Sequence, residues 1–411
     1  MHGMSTLTTA MTMATISQIA IMSVAFAIMI RFFMFSFANI YKAYKECQKH
    51  KRGTLNALHY EVNHIENLTN LECELKNRTY KIGKSICFLA HSPKLREVFA
   101  ADFKDRIVHH LLVREIEPFY EKKFIFDVYN NRRGKGIHGA VKRTRSFMQS
   151  VGDDGYFLQL DIKGFFYNLD KNILFKQLFS DIKNSDLQHK EEILYLANKI
   201  IYHNPTRNYY FKGDKKALQK LPSHKTLFKL PSHLGLPIGN LTSQFFANVY
   251  MNKFDHFVKR ELKIKHYIRY VDDFVLFAKD KTVLIDAKQH IEEYLFKNLG
   301  LMLRKDFKLR HNSMGVDFLG YIIRPHYTLV RQRVVNNFKY KKAKYLDRYE
   351  ALQGTMELEE IKQFLSVQAS FLGHCKHANS YNLRKKVGKT DEEKYIRLIV
   401  NSWNECKSCS R

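Results

Sequence analysis

The stretch that decides the fold spans residues 266–277 and reads HYIRYVDDFVLF. Aromatic and β-branched residues flank Asp272 and Asp273 on both sides, which predicts a strand, a tight turn and a second strand. Burying carboxylates is costly unless a cation compensates their charge, and hard divalent cations prefer oxygen ligands. The pair therefore indicates a metal site at a hairpin tip, although two adjacent aspartates taken alone are more typical of a solvated turn.

A carboxylate further upstream favours the metal site. Residues 157–166 read FLQLDIKGFF, which predicts an apolar strand that ends at Asp161. Two strands that each deliver a carboxylate at their end are the parts of a two-metal phosphoryl-transfer site, in which two Mg²⁺ ions lie about 3.5–4 Å apart. The three aspartates together therefore predict phosphoryl-transfer chemistry.

Five short motifs follow one another in the order found in one enzyme family. They are residues 160–166 around Asp161, residues 235–244 (GLPIGNLTSQ), residues 270–273 (YVDD), residues 299–303 (LGLML) and residues 318–321 (FLGY). In this order the chain resembles the palm of reverse transcriptases, and the resemblance covers roughly residues 36–385. Because all five motifs occur in the order of the family, the resemblance is specific.

The resemblance implies an α+β right-hand polymerase, with fingers, a palm whose antiparallel sheet carries the Asp hairpin, and a helical thumb. The predicted bounds are an apolar N-terminal segment over 1–38, fingers over 39–150, a palm with inserted fingers elements and a loop at 203–233 over 151–327, and a helical thumb with a C-terminal tail over 328–411. Within the fingers, apolar spacing over residues 105–117 predicts a helix that Pro118 ends.

The charge of the chain indicates a polyanionic partner. The 411 residues include 68 Lys and Arg against 40 Asp and Glu, a net charge of +28, which exceeds what solubility requires. Nucleic acid is the first candidate partner. The six cysteines are scattered and do not resemble a secreted disulfide framework, so the sequence predicts a reducing cytoplasm.

Two Cys or His clusters have the spacing of metal ligands. Cys406 and Cys409 are separated by two residues, but no second pair completes a zinc site. His374, Cys375 and His377 form another cluster, for which a packed helical segment is the preferred interpretation. The sequence therefore assigns neither cluster a function.

The N-terminus allows two interpretations. Residues 14–30 are strongly apolar and close to the length of a membrane-spanning helix, and the basic residues follow it, which would keep the body of the chain cytoplasmic. Alternatively, translation starts near Met34, where the resemblance begins. A cytoplasmic protein with a possible N-terminal membrane anchor is thus the expected location.

The resemblance assigns roles to the acidic residues. Asp161 and Asp272 are the expected metal ligands, Asp273 is a supporting carboxylate, and Ile162 contributes its backbone carbonyl. The expected cofactor is a pair of Mg²⁺ ions, for which Mn²⁺ is a possible substitute. Lys308 is a candidate general acid toward pyrophosphate, with a phosphate-contact or surface role as the alternative.

Further candidates surround the incoming nucleotide. Lys94 and Arg96 are expected to hold the triphosphate or the template backbone, and Gln244 is also expected to bind nucleotide. Phe166, five residues after Asp161, matches the family position where an aromatic ring lies under the sugar. A ring there would exclude a 2′ hydroxyl and select dNTPs, although a core Phe is the alternative interpretation.

The second motif departs from the commoner family pattern. Where many relatives read Gln-Gly followed by Ser-Pro, this chain has Ile238-Gly239 and Ser243-Gln244. That version resembles the reverse transcriptases of diversity-generating retroelements, which copy a template RNA with errors at adenines; residues 370–381 also resemble that group. The motif packs beside the templating base pair in the family, so an apolar Ile238 there would loosen geometric checking.

Several biological settings stay open. An anti-phage defence reverse transcriptase with a dedicated noncoding RNA, possibly membrane-tethered, uses the same palm. A group II intron protein is less favoured, because little chain follows the fifth motif, and a catalytically silent RNA-binding scaffold conflicts with the intact aspartates. The expected partners are template RNA and its cDNA, dNTPs and a small basic accessory protein, while a membrane partner is left open.

Overall fold

The computed structural model describes residues 33–49, 54–91, 95–352 and 356–388. Its strands are β1 (Ser85–Ala90), β2 (Arg96–Ala100), β3 (Tyr156–Asp161), β4 (Tyr209–Phe211), β5 (His266–Tyr270), β6 (Asp273–Ala278), β7 (Lys308–His311), β8 (Val316–Phe318), β9 (Tyr321–Ile323) and β10 (Thr328–Val330). The mixture of helices and antiparallel sheets confirms the predicted α+β class.

The α-helices, in chain order, are α1 (Phe37–Gln48), α2 (Leu55–Val62), α3 (His64–Lys76), α4 (Phe103–Lys123), α5 (Ile137–Val151), α6 (Phe165–Asn168), α7 (Lys171–Lys183), α8 (Lys190–Tyr202), α9 (Leu241–His256), α10 (Lys281–Leu299), α11 (Gln332–Ala351), α12 (Leu358–Cys375) and α13 (Tyr381–Gly388). Short 3-10 turns occupy much of the stretch between α8 and α9. The described residues divide into two compact units, one within residues 33–126, 162–257 and 291–303, and the other within residues 127–161, 258–290 and 304–388.

The first unit combines helices with a small three-stranded sheet. In the sheet, β1 pairs antiparallel with β2 and parallel with β4. Helix α4 begins at Phe103, and the preceding Asp102 caps it, because its side chain accepts a hydrogen bond from the backbone N–H of Lys104. Helix α9 is buried around most of its circumference, as expected for a helix at the centre of its unit.

The expectation that Pro118 ends a helix is wrong. Helix α4 runs from Phe103 to Lys123 with Pro118 inside it. Proline removes one backbone hydrogen bond, yet Ile116 and Tyr120 on either side are fully buried and hold the helix against its neighbours. Tertiary packing therefore outweighs the local signal of the proline.

The second unit is built on a four-stranded antiparallel sheet of order β5-β6-β3-β7. Helix α5 packs against this sheet and buries Phe147 and Met148 in a core shared with Phe157, Val275 and Phe277. Strands β8, β9 and β10 form a second antiparallel sheet, which contributes its inward side chains to the same core. The packed core fixes the register of β3 and β6, because a slip of one residue would turn their buried side chains outward.

Helices α11 and α12 form a separate small core in the second unit. The rings of Phe338 and Phe371 stack with their centroids 4.0 Å apart, and Cys375 is fully buried beside them. The prediction of a packed helical segment around His374 and Cys375 is therefore confirmed. Cys406 and Cys409 lie outside the described residues.

The apolar N-terminal stretch at residues 14–30 also lies outside the described residues. Within the described ranges, the helices are either too short or too polar to cross a membrane. The domain bounds predicted from the sequence stay predictions.

Candidate active site

The register of the four-stranded sheet places two of the predicted aspartates opposite each other. Asp161, the last residue of β3, pairs with Asp273, the first residue of β6. Asp272 directly precedes Asp273 in the two-residue turn between β5 and β6, where Tyr270 pairs with Asp273. The predicted hairpin is therefore present, and adjacent strands carry the three carboxylates at one end of the sheet.

The turn that presents Asp272 has an unusual backbone. Val271 has a φ of +61°, a left-handed conformation that is unfavourable for a β-branched residue. Its backbone N–H donates to the side-chain oxygen of Asn130 at 3.0 Å, and its carbonyl accepts from Arg269 Nη1 at 2.9 Å. These contacts hold the turn in its conformation, and strain of this kind is found mostly at functional sites.

Arg269 itself is fully buried although it carries a charge. Its backbone N–H donates to the carbonyl of Asp127 at 3.0 Å, and its carbonyl accepts from the backbone N–H of Tyr129 at 3.1 Å. The segment that contains Asn130 is thus tied to β5 by backbone hydrogen bonds. The sequence does not indicate Asn130 or Arg269 as site residues, because the hydrogen bond between Val271 and Asn130 joins segments 141 residues apart along the chain.

Asp273 lies in an environment that disfavours its charged form. Burial raises its pKa to about 7, and the nearby carboxylates of Asp161 and Asp272 raise it as well. A hydrogen bond from Gln159 and the charge of Lys308 act in the opposite direction. Burial is thus the largest cause of the raised pKa, the two neighbouring carboxylates add to it, and a bound cation would favour the charged form.

Gln159 supports Asp273 from the neighbouring strand. Its Nε2 donates to Oδ1 of Asp273 at 3.2 Å and to the backbone carbonyl of Asp317 at 3.0 Å. Gln159 precedes Asp161 by two residues, so both side chains lie on the same face of β3. The sequence signal was a lone amide in an otherwise apolar strand, at the spacing that shares a face with the aspartate.

Arg304 contacts the carboxylate of Asp161. Its Nη1 lies 3.3 Å from Asp161 Oδ2, and its backbone N–H donates to the Asp161 carbonyl at 2.8 Å. The same guanidinium pairs with Asp306, with Nε and Nη2 at 2.9 and 2.8 Å from the two oxygens. Arg304 therefore adds a cation to the site that the sequence did not indicate.

Lys308 begins β7, the strand beside β3. Its Nζ is 3.9 Å from Oδ2 of Asp317, which also pairs with Arg331 at 2.9 Å. Lys308 thus contributes positive charge near Asp273, as its effect on the pKa of Asp273 indicates. Its role as a general acid stays a prediction.

The donor chemistry at the end of the sheet fits a hard divalent cation, because all three acidic side chains offer oxygen atoms. Asp161, Asp272 and Asp273 are the residues that could hold it. In the described parts of the chain, no three His, Cys, Asp or Glu side chains lie together as a group that could hold a metal ion. The three half-buried aspartates therefore offer suitable oxygen atoms without converging as a metal-binding group.

Several other predicted site residues belong to the first unit. Phe166 is half-buried, and its carbonyl accepts from the backbone N–H of Leu236 at 2.8 Å. Ile162 is buried and forms an isolated antiparallel β-bridge with Leu303. Arg96 is exposed at the start of β2, whereas Lys94 lies outside the described residues.

The second motif packs against β2 within the first unit. The carbonyl of Ile238 accepts from the backbone N–H of Phe99 at 2.9 Å, and its side chain packs against the buried cluster around that ring. Gly239 has a φ of +119°, and a Cβ there would come within 2.7 Å of Val98 Cγ1. Glycine is therefore required at this position, while Gln244 is exposed in the first turn of α9.

Comparison with known proteins agrees with the motifs. The family described as reverse transcriptase (RNA-dependent DNA polymerase) matches residues 90–323, more than half of the chain. The chain belongs to the reverse transcriptase family, whose members in general depend on divalent metal.

Similar proteins include Protein YkfC from Escherichia coli, 22% identical over 287 residues, covering 61% of this chain and 69% of that protein. The group II intron-encoded protein LtrA from Lactococcus lactis is 22% identical over 325 residues, covering 63% of this chain and 50% of that protein. The chain thus spans about half the length of the intron protein.

Among solved structures, telomerase from Candida albicans, in a complex with a fragment of telomeric RNA, is 14% identical with a TM-score of 0.41. The match covers 72% of this chain and 54% of that one.

Proposed function

We propose that this chain copies a template RNA into cDNA by two-metal nucleotidyl transfer. The observation that carries the proposal is the pairing of Asp161 with Asp273 in the sheet, with Asp272 in the adjoining turn. The primer 3′ hydroxyl would attack the α-phosphate of a dNTP and release pyrophosphate. Two Mg²⁺ ions, or Mn²⁺ in their place, would supply activation of the hydroxyl and neutralisation of the phosphate charge.

The side chains of the site would divide the remaining work. Asp161 and Asp272 would hold the metals, with Asp273 in support and the carbonyl of Ile162 as a further oxygen donor. Gln159 orients Asp273 through its amide, and Asn130 keeps the turn in shape. Catalysis of this kind depends mostly on positioning and charge.

Further residues would hold the nucleotide. Lys94 and Arg96 would contact the triphosphate or the template, Gln244 the nucleotide, and Lys308 would protonate pyrophosphate. The ring of Phe166 would lie under the sugar and exclude a 2′ hydroxyl. Phe166→Ala should then raise incorporation of ribonucleotides relative to deoxyribonucleotides, whereas an equal loss of both would indicate a packing role alone.

The polymerase proposal is tested with purified protein on a homopolymer RNA template and a DNA primer. We expect dNTP incorporation that requires divalent metal and that Asp272→Asn abolishes, because the amide keeps the size of the side chain and removes its charge. Circular dichroism and RNA binding should be unchanged in the variant. Incorporation at the parent rate by purified Asp272→Asn protein would refute the assignment.

We further propose that synthesis is error-prone, as in a diversity-generating retroelement with a small basic accessory protein. The supporting features are Ile238-Gly239 and Gln244 in the second motif and the likeness of residues 370–381 to that group. An apolar Ile238 offers no amide for geometric checking. Sequenced cDNA should carry errors concentrated opposite template adenines, and Ile238→Gln should lower them; equal error frequencies would count against the proposal.

An anti-phage defence reverse transcriptase with a dedicated noncoding RNA is the second candidate. The feature that favours it is the apolar stretch over residues 14–30, which a membrane-tethered effector would need. Sequencing of cDNA made in cells separates the two candidates. Scattered adenine errors in copies of one template favour diversification, whereas a repetitive or protein-primed product favours defence.

A further inference from the structure

The stretch between α8 and α9 in the first unit is strongly basic. Residues 204–233 contain seven Lys and Arg against a single Asp, and we name them the basic segment. The sequence KLPSH occurs twice in it, at residues 220–224 and 229–233. A charge excess of this density, six in thirty residues, is typical of a surface that binds a polyanion.

The basic segment is built into the sheet of the first unit. Its strand β4 pairs parallel with β1, from Ser85 opposite Tyr209 to Cys87 opposite Phe211. The backbone N–H of Lys212 then donates to the carbonyl of Cys87 at 2.8 Å. One end of the segment thus has a fixed place beside β1.

Two buried charged residues anchor the middle and the end of the segment. Glu97 of β2 accepts from the hydroxyl of Thr226 at 2.6 Å and from the backbone N–H of Leu227 at 2.9 Å. Lys171 of α7 donates from Nζ to the carbonyl of Ser232 at 3.0 Å and from its backbone N–H to the carbonyl of His233 at 2.8 Å. Buried charges of this kind must be satisfied, so these contacts restrict the path of the chain.

The apolar and cationic side chains of the segment face in opposite directions. Phe211 and Leu227 are buried with Cys87, Phe99 and Tyr167, and Leu218 and Leu230 pack against the same cluster. The cations whose side chains the structure describes are exposed instead, as are both histidines of the repeated sequence: Arg207, Lys212, Lys216, Lys225, Lys229, His224 and His233.

Two aromatic side chains accompany the exposed cations. Tyr210 is 59% exposed and Phe228 is 38% exposed. The ring of Phe228 packs against the rings of Phe99 and Tyr209, at centroid distances of 5.8 and 5.2 Å. Lysines beside exposed rings are the combination that binds single-stranded nucleic acid, because lysines contact phosphates while bases stack on rings.

We propose that the basic segment is an RNA-binding surface, in addition to the surfaces that hold the primer and nucleotide. The proposal rests on the proposed function, which supplies an RNA as the polyanion. An anionic membrane is the less suitable partner, because membrane-binding segments turn leucines outward and here Leu227 and Leu230 pack inward. Just beyond the segment, the backbone N–H groups of Gly235 and Leu236, the first residues of the second motif, donate to the carbonyls of Leu169 and Phe166.

The test compares two variants that lose the same charge from the first unit. The first carries Lys212→Gln, Lys216→Gln, Lys225→Gln and Lys229→Gln, all exposed in the basic segment. The control carries Lys42→Gln, Lys49→Gln, Lys122→Gln and Lys176→Gln, all exposed on α1, on α4, on α7 or just after α1. Binding of a labelled single-stranded RNA longer than the primed template is measured by fluorescence anisotropy at several salt concentrations.

We expect the segment variant to bind RNA about tenfold or more weakly than the parent. The slope of log affinity against log salt concentration should become shallower by about 0.7 for each phosphate that the replaced lysines neutralise. The control should bind within about twofold of the parent, and both variants should retain synthesis on a short primed template. Equally weakened binding in the two variants would mean that overall charge alone binds RNA and would overturn the proposal.

A second measurement distinguishes RNA from an anionic membrane as the partner of the basic segment. If the segment variant loses binding to phosphatidylserine vesicles while its RNA binding is unchanged, the surface is a membrane contact and the proposal is wrong. Because the readout is binding, it is independent of catalysis. A parent protein that binds RNA through the segment but makes no DNA would contradict the proposed polymerase and leave the RNA-binding surface supported.

Discussion

Asp105 in the first unit and Asp273 in the second are aspartates whose pKa is raised mainly by burial, to about 6 and about 7. Asp105 is 1% exposed, and both of its oxygens accept hydrogen bonds, from the Tyr80 hydroxyl at 2.6 Å and the Gly83 N–H at 2.9 Å. Asp273 is half-buried, and the side-chain amide of Gln159 donates to its carboxylate.

The charged neighbours of the two aspartates also differ. Next to Asp105 stand Asp102, which raises its pKa, and Lys104, which lowers it. Next to Asp273 stand two carboxylates, Asp161 and Asp272, on an open end of the sheet. A raised pKa therefore does not mark a functional site by itself. The difference lies in whether protein donors already satisfy the carboxylate or whether negative charge collects where a cation could enter.

The largest effect expected from this comparison is on stability, at Asp105. Its folded pKa of about 6 exceeds the ordinary 3.8, so the folded protein prefers the protonated form. Stability from this group is fully present below pH 3.8 and is lost as the pH rises through 6, by about 3 kcal/mol. Asp105→Asn cannot ionise and should lack this loss.

The measurement is urea unfolding of parent and Asp105→Asn at several pH values from 4 to 7. The free energy of unfolding of the variant relative to the parent should rise by about 2 kcal/mol over that range, because the unfolded Asp105 is already partly ionised at pH 4. Asp214→Asn, which removes an exposed carboxylate that caps a 3-10 helix, serves as the control. A variant that differs from the parent by a constant amount across the range would show that Asp105 does not hold a proton in the folded state.

The sequence indicates the positions of the three carboxylates better than those of the side chains around them, and their role as metal ligands stays a prediction. Asp161, Asp272 and Asp273 were predictable because alternating apolar residues define the strands and the register of adjacent strands then brings their ends together. The lone amide of Gln159 gave a signal of its face but not of its partner, and Arg304 gave none, because a side-chain hydrogen bond depends on which segments meet and Arg304 meets Asp161 across 143 residues of chain.

The fold shows the same contrast between features that follow from a local sequence pattern and features that depend on distant contacts. The hairpin at residues 266–277 was predictable from local pattern, since β-branched and aromatic residues flank a two-residue turn. The continuation of α4 through Pro118 was not, since it depends on the burial of Ile116 and Tyr120 against other elements. The short strand β4 was likewise hidden in a basic stretch that reads as a loop, because its partner β1 lies more than a hundred residues away.

The second effect concerns the amide that supports Asp273. Gln159→Leu keeps the volume and removes the donor at 3.2 Å from Asp273 Oδ1. Loss of a residue that orients a metal ligand typically costs about 10- to 100-fold in metal affinity or activity. We expect the Mg²⁺ or Mn²⁺ concentration for half-maximal synthesis to rise by that factor.

The control for this prediction removes a different buried amide. Gln177→Leu replaces a buried glutamine of α7 in the first unit. It should leave the metal dependence of synthesis within about twofold of the parent, well below the loss typical of a residue that orients a ligand. If Gln159→Leu also leaves the metal dependence of synthesis within about twofold of the parent, Gln159 stabilises the sheet without positioning Asp273.

The smallest effect, with the opposite sign, is expected at Arg304. Its pair with Asp161 is about 40% exposed on both sides, so its loss should change the free energy of unfolding by no more than about 1 kcal/mol. The guanidinium nevertheless places a positive charge beside a carboxylate that would hold metal. Removing that charge should strengthen metal binding by about 1 kcal/mol or less, a factor of up to about five, because a charge close to solvent is well screened.

Arg304→Gln should therefore lower the metal concentration for half-maximal synthesis, whereas Gln159→Leu should raise it. Direct titration with Mn²⁺, followed by electron paramagnetic resonance, gives the same comparison without catalysis. Arg304→Lys keeps the charge and should resemble the parent in this titration. A weaker affinity for Mn²⁺ in Arg304→Gln would mean that Arg304 orients Asp161 for the metal, as Gln159 orients Asp273, and would place both residues among the supports of the site.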